Sequence, residues 1–153
     1  MTFHERAGST NVIHLHGELT KARPEDAYNE ADGFCEDAVI NIGYKEICLG
    51  DTEGKNHSQL RPHIVFFGEP VPMIRRAQRE VADADILLIV GTSLQVYPAA
   101  GLLQFASGNC EIFVIDPEMP DGVFSCSAHY IRQKATTGME EFARRIGFSI
   151  SDR

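Results

Sequence analysis

The 153-residue chain contains no tryptophan and no CxxC pair. No apolar run approaches the roughly 18–20 residues that a bilayer span requires. The longest, around Ala84–Val90, is broken by Asp85 and closed by Gly91, which argues against a membrane span. Basic residues are few, 14 Lys and Arg against 22 Asp and Glu, for a formal net charge of -8. Binding a phosphate backbone needs clustered cations, so no nucleic-acid partner is expected, and an anionic membrane surface is disfavoured for the same reason. The opening Met-Thr-Phe-His-Glu-Arg is too polar for a secretory signal, so a cytoplasmic setting is expected. Internal repeats and low-complexity tracts are absent as well.

The four cysteines, Cys35, Cys48, Cys110 and Cys126, are scattered. Structural zinc normally draws its thiolates from tight two-residue knuckles, and disulfide frameworks belong to secreted chains. Four unpaired thiols are expected.

What is present reads as α/β. Residues 11–17, Asn-Val-Ile-His-Leu-His-Gly, alternate with period two and predict a short strand ending at Gly17, with His14 and His16 on one face. Residues 20–61 are acidic and Gly-containing with little periodicity, a small loop-rich excursion with two short strands. Beyond them, His63–Phe67 predicts a strand stopped by Gly68-Glu69-Pro70. Met73, Ile74, Ala77 and Val81 fall at helical spacing. Asp85–Val90 is a continuous apolar run, the mark of a strand buried on both faces of a parallel sheet. A short helix over 99–106 and a strand over Glu111–Ile115 follow. A last helix opens at Thr137, with Glu140 as capping-box partner and Met139, Phe142, Ala143 and Ile146 as its apolar stripe. Strands alternating with helices through short loops predict a parallel sheet with right-handed crossovers and helices on both faces.

Ligands of open parallel sheets bind beyond the carboxyl ends of the strands. Three such ends stand out: Gly68-Glu69, Gly91-Thr92-Ser93 and Asp116. Gly91 permits close backbone approach, and Thr92 and Ser93 offer hydroxyls and amides, which suits phosphate or ribose oxygens or simply a tight turn. Asp116 can accept from a ribose diol or serve as a turn residue before Pro117. His14 and His16 admit three readings: paired metal ligands, a general base, or structural histidines. No carboxylate or histidine at matching spacing supports a metal, and spacing alone leaves the role of His16 open.

Four segments together resemble one family, the sirtuins, NAD-dependent protein-lysine deacylases. They are HERAGSTNVIHLHGEL at 4–19, LRPHIVFFGEPVP at 60–72, ADILLIVGTSLQVYPAAG at 84–101 and EIFVIDPE at 111–118. Their order and near-complete coverage of the chain make the resemblance specific. The continuation Glu-Leu-Thr-Lys-Ala-Arg looks most like the bacterial branch that includes desuccinylating and demalonylating members. The resemblance implies a Rossmann-like NAD-binding domain over 1–19 and 62–153, with 20–61 in the position of the family's zinc module. It implies that His16 is the catalytic base, taking a proton from a ribose hydroxyl. Gly91, Thr92, Ser93, Asp116, Pro117, Glu118 and Ala135 would contact NAD. Asp116 stands where many relatives have Asn, so it can accept a hydrogen bond but not donate one. Val65, Phe66, Phe67, Gly68 and Glu69 on one side, and Leu94, Gln95 and Val96 on the other, would flank an acyl-lysine peptide by β-augmentation.

The resemblance departs from this chain in two places. Many sirtuins carry two CxxC pairs where 20–61 holds only Cys35 and Cys48; these with His57 make no tetrahedral site, so no zinc is expected. The family's first βα unit, with its Gly-Ala-Gly phosphate loop, should precede residue 1, so the chain matches the C-terminal part of a sirtuin. A complementing N-terminal segment is therefore a candidate partner, beside acyl-lysine proteins. The alternative reading is a catalytically inactive fragment that binds peptide or nucleotide.

Overall fold

The computed structural model describes residues 3–29, 33–53, 56–118 and 128–148. The chain divides into two compact units, Met1–Ala77 and Gln78–Arg153.

The first unit opens with a single helical turn, α1 (Phe3–Arg6). Among the described residues six short strands follow: β1 (Gly17–Pro24), β2 (Tyr28–Asn29), β3 (Gly33–Phe34), β4 (Ile40–Asn41), β5 (Thr52–Glu53) and β6 (Ser58–Ile64). Four of them form a sheet in the order β4-β1-β6-β5, antiparallel at each junction, and β2 and β3 pair separately.

The expected strand over 11–17 is not there: β1 begins where that strand was expected to end. The Gly17 N–H donates to the His14 carbonyl at 2.9 Å, so the chain turns at this point. Gly17 has φ +83, and a Cβ there would stand 2.0 Å from the His63 carbonyl oxygen on the neighbouring strand. Glycine is what lets the turn run directly into the sheet. The expected strand over His63–Phe67 also shifts. β6 stops at Ile64, and Val65–Glu69 forms a loop instead. Segment 20–61 thus contributes most of an antiparallel sheet, more than the two short strands expected of it.

Helix α2 (Ile74–Ala82) carries the boundary between the units. The second unit then holds β7 (Ile86–Val90), a 3-10 helix over Ala99–Phe105, β8 (Glu111–Ile115), β9 (His129–Ile131) and α3 (Ala135–Arg145). The three strands form a parallel sheet in the order β7-β8-β9. β8, with its β-branched run, is buried from Ile112 to Ile115. Phe113, Ile115, Ile131 and Phe142 make the core, with Leu88 packed against it. The Phe113 ring stacks on His129 at 4.8 Å and meets Phe142 edge-on at 5.1 Å.

Two expectations change here. β7 is an edge strand among the described residues, and Ile86 and Val90 are partly exposed instead of buried on both faces. Helix α3 opens at Ala135, two residues before Thr137, and its N-cap Lys134 makes no side-chain capping bond. The Thr137 hydroxyl donates to the Lys134 carbonyl instead, at 3.3 Å. Gly138 and Phe142 are the buried positions of α3, while Met139 and Ile146 face outward. A Cβ on Gly138 would lie 2.2 Å from Ile115 Cγ2, so the missing side chain is what brings the helix down onto β8.

Candidate active site

In the first unit, the turn at His14–Gly17 leaves the His16 side chain exposed just before β1. Its carbonyl accepts the Val65 N–H at 3.1 Å. That bond joins the His16 turn to Val65, the first residue of the loop Val65–Glu69 that holds five of the eight peptide-contact candidates.

The shape of that loop depends on Glu69. Its two oxygens take a two-pronged bond from Arg61, Nη1 to Oε1 at 2.7 Å and Nη2 to Oε2 at 3.0 Å. Oε2 also accepts the Phe66 N–H at 3.0 Å, and the Glu69 N–H returns to the Phe66 carbonyl at 3.1 Å. These bonds hold the Glu69 carboxyl below its ordinary value, the Arg61 hydrogen bond most, the Phe66 amide next. Gly68, at φ +87, closes the turn. Phe66 and Phe67 are left exposed, with the Arg61 guanidinium 5.5 Å from the Phe66 ring. Glu69 was expected among the peptide contacts; its carboxylate is committed to building the loop. Arg61, which carries that role, was not singled out from the sequence.

In the second unit, the parallel register pairs Val90 with Ile115 and Ile115 with Ile131. Gly91-Thr92-Ser93, Asp116-Pro117-Glu118 and the start of α3 at Ala135 therefore leave the same edge of the sheet. The Gly91 N–H donates to the Ile115 carbonyl at 3.0 Å, and the residue takes φ +61. Nothing lies within 4 Å of where its Cβ would be, which leaves an open cradle over exposed Thr92 and Ser93. The Thr92 hydroxyl accepts the Leu94 N–H at 3.2 Å, and Leu94 itself takes φ +54. Gln95 and Val96 are exposed. The Asp116 Oδ1 accepts the Glu118 N–H at 2.9 Å, so one carboxylate oxygen makes the turn before Pro117. A carboxylate oxygen has capacity for a further donor.

Folding also assembles a group that the sequence spacing did not show. His14 Nε2 lies 2.5 Å from Glu5 Oε1 and 3.7 Å from Glu18 Oε1, and Lys21 pairs with Glu18 Oε2. The bond to His14 holds the Glu5 carboxyl below its ordinary value, with its own backbone amide adding to that. His63, on β6, is buried, and burial lowers its pKa, with Arg23 next in effect. Cys35, Cys48 and Cys110 are free thiols; Cys126 lies outside the described residues. No helix among the described residues is long and apolar enough to cross a membrane.

Comparison with known proteins gives consistent matches. A profile of the Sir2 family matches residues 2–98. An NAD-dependent protein deacylase of Bacteroides thetaiotaomicron is 47% identical over 144 residues, covering 94% of this chain and 59% of that protein. A Helicobacter pylori NAD-dependent protein deacylase is 39% identical over 143 residues, covering 94% and 58%. The chain thus spans a little over half the length of the curated relatives it matches. Among solved structures, a Sir2 homologue complexed with NAD aligns with a TM-score of 0.68 at 36% identity, covering 94% of this chain and 54% of that one. A triply substituted Sir2 homologue bound to 2'-O-acetyl ADP-ribose aligns with a TM-score of 0.66 at 33% identity, covering 98% and 59%.

Proposed function

The chain belongs to the Sir2 family, and from that premise we propose that it carries the catalytic base and the peptide-flanking loop of an NAD-dependent protein-lysine deacylase. The observation that carries this reading is the Val65 N–H to His16 carbonyl bond, which roots an exposed imidazole at the base of an exposed loop. A ribose hydroxyl is a poor nucleophile near neutral pH, and an imidazole beside it is the available base. Val65–Glu69, held in shape by Arg61, offers a backbone edge to an extended acyl-lysine peptide, with Phe66 and Phe67 as apolar walls. That mode takes affinity from main-chain bonds and reads little of the peptide sequence.

The three strand ends of the second unit fit a dinucleotide. Gly91 leaves room for close approach, Thr92 and Ser93 bring hydroxyls, and Asp116 retains an acceptor for a ribose hydroxyl. NAD, when bound, supplies the ribose that receives the acyl group, and nicotinamide leaves. The product named in the 2'-O-acetyl ADP-ribose complex of a relative supports acyl transfer to ADP-ribose. Free thiols at Cys35, Cys48 and Cys110 suit the reducing cytoplasm.

The test is turnover of an acyl-lysine peptide, with NAD consumption, by this chain fused to or co-expressed with the N-terminal portion of the Bacteroides thetaiotaomicron relative. His16→Ala should lower turnover about 10²–10⁴-fold, the range of a lost general base, and His14→Ala much less. Full activity in His16→Ala would overturn the mechanism. Peptide or nucleotide binding without turnover in the reconstituted protein would make this a binding module.

A further inference from the structure

We propose that Glu5, His14 and Glu18 form a binding site for one divalent transition-metal ion of the zinc class, apart from the cysteines of segment 20–61. The donors come from three places: α1, the turn before β1, and β1 itself. Their ligating atoms all lie within 4.8 Å of one another. One imidazole with two carboxylates is a donor set that zinc takes, leaving a fourth position for water. Zinc bonds of about 2.0–2.2 Å put tetrahedral donors roughly 3.4 Å apart. His14 and Glu18 already stand close to that, at 3.7 Å, whereas His14 and Glu5 at 2.5 Å have to part by about 1 Å. Glu5 sits on an exposed single turn, the easiest of the three to move. Lys21 holds Glu18 by Oε2 and leaves Oε1 facing the group, so the carboxylate is oriented without being used up.

A second observation comes from the cavity that His14 and Glu18 line. It measures about 170 Å³, and Lys21 and His63 also line it. His63 is only 8% exposed, and its buried Nδ1 has no hydrogen-bond partner among the described residues. Buried polar atoms in folded proteins are nearly always satisfied, so an unpartnered nitrogen on a residue that lines the same cavity as His14 and Glu18 is a second sign that this cavity takes a polar occupant. An ion on His14 Nε2 would displace the hydrogen that joins this ring to Glu5, either to Nδ1 of the same ring or to solvent.

The assignment stands apart from the deacylase reading, and its readout is binding alone. The purified, chelator-treated chain is titrated with Zn²⁺ by calorimetry in buffers of different protonation enthalpy, and with Co²⁺ by absorption. One ion per chain is expected. Removing a supporting partner of a ligand already costs about 10–100-fold in metal affinity, so Glu5→Gln, His14→Gln and Glu18→Gln should each cost at least that. A Cys35→Ser/Cys48→Ser double variant should bind as the parent does. Glu5→Gln lies on an exposed turn and decides the matter even where Glu18→Gln fails to fold. Failure to bind either ion, unchanged affinity in Glu5→Gln and His14→Gln, or loss of binding in the cysteine variant would overturn the site.

Discussion

At the residue scale, Glu69 links loop shape to pH. Its carboxyl lies below the ordinary 4.5 in the folded chain because Arg61 and the Phe66 amide favour the charged form. A group depressed in this way adds stability above its unfolded pKa and loses it as the pH falls through the folded value. Between roughly pH 5 and pH 3 the parent should therefore lose melting temperature more steeply than Glu69→Gln, as read by circular dichroism. Near pH 7 the variant should be the less stable of the two, and it should bind acyl-lysine peptide more weakly in the reconstituted protein. Of these residues, His16 and the loop were legible from motif resemblance. Arg61 and the group Glu5, His14 and Glu18 were not. Arg61 reaches Glu69 across eight positions and Glu5 reaches His14 across nine, and no helix or strand period encodes such spacings.

Among the elements, α3 and β8 meet at a glycine. Gly138→Ala improves intrinsic helix propensity by about 1 kcal/mol, yet its new methyl would press on Ile115 Cγ2. Overpacking of that kind costs about 1–3 kcal/mol, so a net loss in urea denaturation is expected. Pairing it with Ile115→Ala, which removes the obstructing methyl, should give a double variant less destabilised than the two single losses added together. Additive losses would mean that helix and strand do not meet here. β7, β8 and α2 could be read from the sequence because their apolar runs and spacing are uninterrupted. The antiparallel sheet could not. β1 and β6 mix charged and apolar residues, each contains a proline, and Pro62 pairs with Ala22 in the middle of the ladder. The cap of α3 was misread because Thr137 bonds backward to Lys134, within its own first turn.

Across the whole molecule, burial is uneven. The largest fully buried side chains, Ile115 and Val114, both belong to β8 in the second unit. Among the described residues of the first unit the buried positions, Val71 apart, are small or polar: Ala22, Ala27, Ala77, Arg23, Glu18 and His63. Local opening free energy follows buried apolar contact, so hydrogen exchange should leave the Ile112–Ile115 amides protected longest. The amides of two-residue β4 and β5 should exchange early. Equal protection across both units would contradict this ordering. The pairing of Gly17 with Ile64 has a further, kinetic consequence. It brings β1 and β6 together across a long connection whose strands, among the described residues, are two residues each, so chain entropy is lost before much contact is gained. Pairing of β7 with β8 spans a shorter loop, and the second unit should therefore order first during refolding. Because closure entropy grows only as the logarithm of length, halving the β1–β6 connection would lower the barrier by about 0.6 kcal/mol, less than a threefold gain in rate.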